Sequence, residues 1–122
     1  MAFDEVVGPA AVRFQPDLIV VSAGYDAHWR DPLAGLQFTS STYHNLAGRV
    51  RDWAAQLCGG RVVFVLEGGY DLKALGESVA NTFLGVLGDA AVDKFDAALL
   101  REEPLDKVKA VLLEAKRIHS LM

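Results

Sequence analysis

Two short apolar runs, Leu18-Ile19-Val20-Val21 and Val62-Val63-Phe64-Val65-Leu66, constrain the fold of this chain more than any other feature. Both are rich in β-branched residues and neither alternates with polar ones, the pattern of strands buried on both faces of a sheet. Between them Tyr43, Leu46, Ala47, Val50, Trp53, Ala54 and Leu57 recur at helical spacing, so the strands are joined by a helical crossover. Strands joined in that way pair in parallel with a right-handed connection. The expected class is therefore α/β, a parallel sheet with flanking helices. Ligand sites in such sheets form at the carboxyl ends of the strands. Residues 22–38 and 67–71 follow those ends and should lie on one side of the sheet, close together.

The remaining boundaries are set by local signals. Phe3, Val6, Val7, Ala10 and Phe14 mark a first helix, which Gly8-Pro9 should kink and Pro16-Asp17 should end. Thr39 or Ser40 is the expected cap of the crossover helix, and Gly59-Gly60 closes it. Asp71 caps a third helix carrying Leu72, Leu75, Val79, Phe83, Val86 and Leu87. A short amphipathic piece is expected near residues 92–100. Pro104 then stands at the first position of a last helix with Leu105, Val108, Leu112 and Ala115 on one stripe.

Length and charge bound the rest. At 122 residues the chain is one domain, spanning 1–122, with no repeats. Twelve Lys and Arg against 16 Asp and Glu give a net charge of −4, which argues against direct nucleic-acid binding because phosphate contacts need clustered cations. The one cysteine, Cys58, rules out an internal disulfide framework and reads as a packed thiol. Neither a bilayer-length apolar run nor a secretory signal is present, so a cytoplasmic, membrane-free protein is expected. The mean hydropathy of +0.21 is high for so short a chain. Either both strands are buried on both faces, or some apolar surface awaits more protein.

On their residues alone the two loops leave the chemistry open. Asp26 and His28 stand two apart and suggest a metal, yet Asp26 reads equally as a turn-capping carboxylate and His28 as a partly exposed loop histidine. Gly68-Gly69 before Tyr70 allows close approach of a ligand, or simply makes a strand-to-helix turn with a packed tyrosine. Glu67 and Asp71 suit a helix start. No phosphate loop, dinucleotide fingerprint or nucleophile elbow occurs, which disfavours a nucleotide-binding domain and a serine hydrolase.

Longer motifs narrow this. Val20-Val21-Ser22-Ala23-Gly24-Tyr25-Asp26-Ala27-His28, followed by Asp31-Pro32-Leu33-Ala34-Gly35-Leu36, closely resembles the C-terminal part of the histone deacetylase superfamily. Its bacterial and class II branches, including acetoin-utilisation and acetylpolyamine amidohydrolase relatives, are the most similar. Val63-Phe64-Val65-Leu66-Glu67-Gly68-Gly69-Tyr70-Asp71-Leu72 matches the glycine-tyrosine loop of the same family. The resemblance runs from near residue 3 to about Leu87 and implies the C-terminal part of an arginase/deacetylase-like fold.

What it implies chemically is zinc-dependent amide hydrolysis on an acetylated lysine or polyamine substrate. By the motif match Asp26 is a carboxylate ligand of Zn2+, and Tyr70 is the catalytic phenol that donates to the developing oxyanion. Gly68 and Gly69 let the acyl chain pass the backbone, and Leu33 lines the apolar channel. His28 is not a ligand position in the family. Two further ligands and a His-His general base pair lie in family segments upstream of this one. The fragment alone is therefore expected to be inactive and to hold no zinc tightly. The alternative is a non-catalytic α/β assembly or binding module derived from the same fold. Under either reading two apolar strands with unpaired edges point to a homo-oligomer.

Overall fold

The computed structural model describes residues 1–95, 100–102 and 104–121. A π-helical turn, Phe3–Val7, runs directly into α1, Gly8–Phe14, with Pro9 in the first turn where its missing N–H costs nothing. Gln15 in the left-handed region ends α1 ahead of Pro16. β1, Ile19–Ala23, begins one residue later and ends two later than the apolar run. α2, Ser40–Cys58, starts at Thr39 with a reciprocal cap: the Thr39 side chain accepts from the Thr42 N–H while the Thr39 N–H donates to Thr42. Left-handed Gly59 closes it. β2, Val62–Leu66, pairs in parallel with β1 in the register Ile19–Val62 to Ala23–Leu66.

α3, Leu72–Leu87, is capped by the Asp71 carboxylate, which accepts from the Lys73 and Ala74 N–H groups. α4, Asp106–Ile118, starts two residues after Pro104, so the proline lies outside the helix instead of at its first position. Leu112 is its one buried side chain among the described residues. α4 lies against the N-terminal turn through Lys116 and Glu5, 3.6 Å apart, and Arg13 of α1 donates to the carbonyl of His119, just past its end. Residues 92–95 form no regular element, and 96–99 of the expected amphipathic piece lie outside the described residues.

Packing departs from the sequence expectation in two places. The strands are covered on one face only: Val21, Ala23 and Phe64 line a small cavity with Tyr43, Ala47 and Val50 of α2, while Val20, Val63 and Val65 on the other face are 59%, 46% and 47% exposed. An uninterrupted apolar strand thus did not mean burial on both faces, because no described helix covers the second one. The apolar stripe expected on α3 is not its buried face either, with Leu75, Val79 and Val86 only half-buried. Its buried face is Ala74, Ser78, Asn81, Thr82 and Gly85, and Leu72, Phe83 and Leu87 are exposed. α3 lies so close on α2 that only small side chains fit between them, and Gly85 is the point of nearest approach. No helix among the described residues is long and apolar enough to cross a membrane.

Candidate functional site

The parallel ladder delivers both loops to one end of the sheet and continues past the strands. The Glu67 N–H donates to the Ala23 carbonyl at 3.1 Å and the Tyr25 N–H to the Gly68 carbonyl at 2.8 Å. That zipper sets Asp26 against the glycine turn. A methyl group on Gly68 would lie 2.6 Å from an Asp26 carboxylate oxygen, and one on Gly24 would lie 2.9 Å from the other. Only glycine leaves the carboxylate its place. Gly69 has φ of +139° and is hemmed in by Leu75 and Tyr25, so it too is confined to glycine. Tyr70 follows with its side chain 55% exposed at the open end.

The first loop is a folded unit. The Trp29 N–H donates to the Phe38 carbonyl and the Phe38 N–H to Ala27, which pins the two ends of the loop together. His28 is 1% exposed beneath it, contrary to the partly exposed histidine expected. Its Nδ1 accepts the Arg30 N–H at 3.1 Å and its Nε2 lies 3.3 Å from Ser40 Oγ. Burial pushes its pKa down, against the opposing charges of Asp93 and Asp71. A neutral ring accepting at Nδ1 carries its proton on Nε2 and donates to Ser40. His28 is therefore a strut of the loop. Leu33, at the loop tip, is 71% exposed.

Two ties between the loops escaped the sequence reading. Asp31 is 7% exposed and its Oδ2 accepts the Tyr70 N–H at 2.8 Å, while its Oδ1 accepts from Leu33 at 2.9 Å. Burial raises its pKa, but these N–H groups with those of Ala34 and Asp71 outweigh it and hold the carboxyl below its ordinary value. Arg30 pairs with Asp71 at 3.2 Å and lies 4.6 Å over the Phe95 ring. An Asp-Pro step in a loop reads as a turn and says nothing about a partner 39 residues away.

Asp26 differs from these acids. Its carboxylate accepts no hydrogen bond from the described residues. The Tyr43 phenol is buried without a hydrogen-bond partner among the described residues; burial, then the charges of Asp26, Tyr25 and Asp31, raises its pKa and keeps it neutral. A carboxylate with open lone pairs beside a glycine turn suits one ligand of a cation. The described residues hold no group of three or more His, Cys, Asp or Glu side chains that would complete a zinc site. The described residues thus offer one open carboxylate, Asp26, to such a group and no complete site.

A family model described as the histone deacetylase domain matches residues 1–86. "Histone deacetylase 10, chloroplastic" of Oryza sativa subsp. japonica is 58% identical over 98% of this chain and 28% of its own length. "Polyamine deacetylase HDAC10" of Homo sapiens is 42% identical over 74% of this chain and 13% of its own. Among solved structures the HDA15 HD domain superposes with a TM-score of 0.72 at 33% identity, covering 98% of this chain and 31% of that one. The chain spans less than a third of the length of each.

Proposed function

The chain belongs to the histone deacetylase family, and from that premise we propose that it supplies the C-terminal part of a zinc-dependent deacetylase site acting on an N-acetyl amide of the acetyl-lysine or acetylpolyamine type. The observation that carries the reading is the unpartnered Asp26 carboxylate held against Gly68, two residues before an exposed Tyr70. A polyamine deacetylase among the relatives supports the substrate class.

In this reading Asp26 would bind the metal through a carboxylate that takes no hydrogen bond from the described residues. Zinc held there would supply a Lewis acid able to polarise the acetyl carbonyl and activate water. The Tyr70 O–H donates to the carbonyl oxygen as negative charge develops there, an interaction stronger in the transition state than in the substrate. Gly68 and Gly69 present bare backbone to the acyl chain, and Leu33 forms an apolar lip that excludes water from it. The remaining ligands and the general base come from polypeptide beyond these residues, so the chain alone is inactive.

The test uses an assembly of this chain that deacetylates. Asp26→Ala should lose zinc, measured by metal analysis. Tyr70→Phe should keep zinc and lower kcat by about 10²–10³, the cost of one oxyanion donor. Unchanged kcat in Tyr70→Phe removes the phenol from its role. The second reading, a non-catalytic assembly module, draws on the exposed valines of the sheet and predicts no zinc-dependent turnover in any assembly.

A further inference from the structure

The Tyr70 side chain is half exposed and makes no hydrogen bond among the described residues, so no polar contact of its own anchors the phenol. The backbone on either side is what holds it. On one side stands Gly69, with φ of +139°, a conformation that turns the following peptide toward the first loop. The Tyr70 N–H points there and ends 2.8 Å from Asp31 Oδ2. On the other side Asp71 is fixed as the cap of α3 and by its ion pair with Arg30.

Asp31 is unusual for its surroundings. Pro32, Leu33, Ala34, Gly35 and Leu36 are all exposed, yet this carboxylate is buried and both its oxygens are used. Oδ1 accepts from Leu33 at 2.9 Å and from Ala34 at 3.4 Å, closing the turn at the loop tip. Oδ2 reaches across to the glycine-tyrosine turn. One rigid group of two oxygens therefore sets the lip leucine and the phenol-bearing residue relative to each other. Charged acceptors make such bonds shorter and stronger than a neutral amide would.

We propose that Asp31 is a positioning residue for Tyr70, aiming the phenol by holding its backbone N–H and tying it to the Leu33 turn. The proposal rests on the deacetylase reading for its catalytic consequence and on geometry alone for the tie itself. Asparagine at this position retains one carbonyl oxygen, enough for the Leu33 turn but not for both sides.

Two measurements test it. In the 15N-tyrosine-labelled chain, Asp31→Asn should speed hydrogen exchange at the Tyr70 amide by about tenfold or more, while the Tyr43 amide, inside α2, keeps its protection. If Tyr43 also loses protection, Asp31→Glu, which retains the charge but displaces it by one methylene, takes its place. Unchanged exchange at Tyr70 overturns the proposal. In a deacetylating assembly Asp31→Asn should lower kcat about 10–100-fold when Tyr70 is present and by no more than about threefold in the Tyr70→Phe background. Equal losses in both backgrounds overturn it, since a general loss of structure would be additive. If no assembly deacetylates, the functional reading fails and the exchange result alone decides the tie.

Discussion

Asp71 joins three contacts at one carboxylate. It accepts from the Lys73 and Ala74 N–H groups at 3.1 and 2.9 Å, and it receives the Arg30 guanidinium at 3.2 Å. The Ala74 N–H holds the carboxyl below its ordinary value of 3.8 against burial, which raises it, and Arg30 and Lys73 add to the lowering. A depressed carboxylate stabilises the fold above its unfolded pKa, and that stability is lost as pH falls through the folded value. Asp71→Ala should therefore cost about 1 kcal/mol in urea unfolding at pH 7, the usual worth of a cap. The gap from the parent should begin to narrow as pH falls below 3.8 and close once pH passes below the lowered folded value, where the cap itself is protonated. A gap that widens in acid would contradict the assignment. The cap was legible from Asp71 before a helix-periodic run; its Arg30 partner was not, because ion-pairing depends on how the first loop folds.

At the scale of elements, the contact of α2 with α3 is governed by glycine and small side chains. A Cβ at Gly85 would strike the His44 carbonyl and lie 3.1 Å from the Ala47 Cβ, whereas one at Gly76 meets nothing within 4 Å. The same substitution at the two positions should then act in opposite directions. Gly76→Ala should stabilise by about 0.5–1 kcal/mol through helix propensity alone. Gly85→Ala should destabilise by about 1–3 kcal/mol, the cost of forcing two packed helices apart. Thermal melts of the pair decide it, and equal shifts of one sign would remove the close crossing. Sequence periodicity found α3 and its length but assigned the wrong face. Tyr25 donates to or accepts from Thr82 at 2.9 Å, and Asn81 accepts the Val92 N–H at 2.9 Å; these polar contacts draw the small, polar face inward. The displaced face leaves Val79, Phe83 and Val86 along an open cleft of about 430 Å³ with Phe64 and Leu66.

The whole molecule exposes 7930 Å², against about 6,400 Å² for a compact monomer of its mass. The excess exceeds the roughly 800 Å² that each partner buries in a standard interface. Much of it is apolar and contiguous with open strand edges: Leu18, Val20, Val63 and Val65, with Leu66 at the rim. A second copy meeting that face by two-fold symmetry would cover it. Sedimentation equilibrium at micromolar concentration should give a mass well above 13.2 kDa. Val63→Lys, placed on the open face, should return it toward the monomer. A parent chain that sediments as a compact monomer would end the argument.

Residues in sequence contact determined much of this protein. Val62–Leu66 became β2 without change, Thr39 and Asp71 became caps, and left-handed Gly59 ended α2. Each depends on a backbone preference or a side chain reaching its own neighbours, so nearby residues suffice. The parallel crossover then brought Asp26 and Gly68 together, as the order of strand and helix required. What surrounds each side chain was decided only in three dimensions. His28 became a buried strut, the valines of both strands kept one face in solvent, and α3 turned Leu72, Phe83 and Leu87 outward. Asp31 met Tyr70 across the fold. Burial and long-range hydrogen bonding depend on what packs opposite, and that partner is fixed by the tertiary arrangement rather than by adjacent residues.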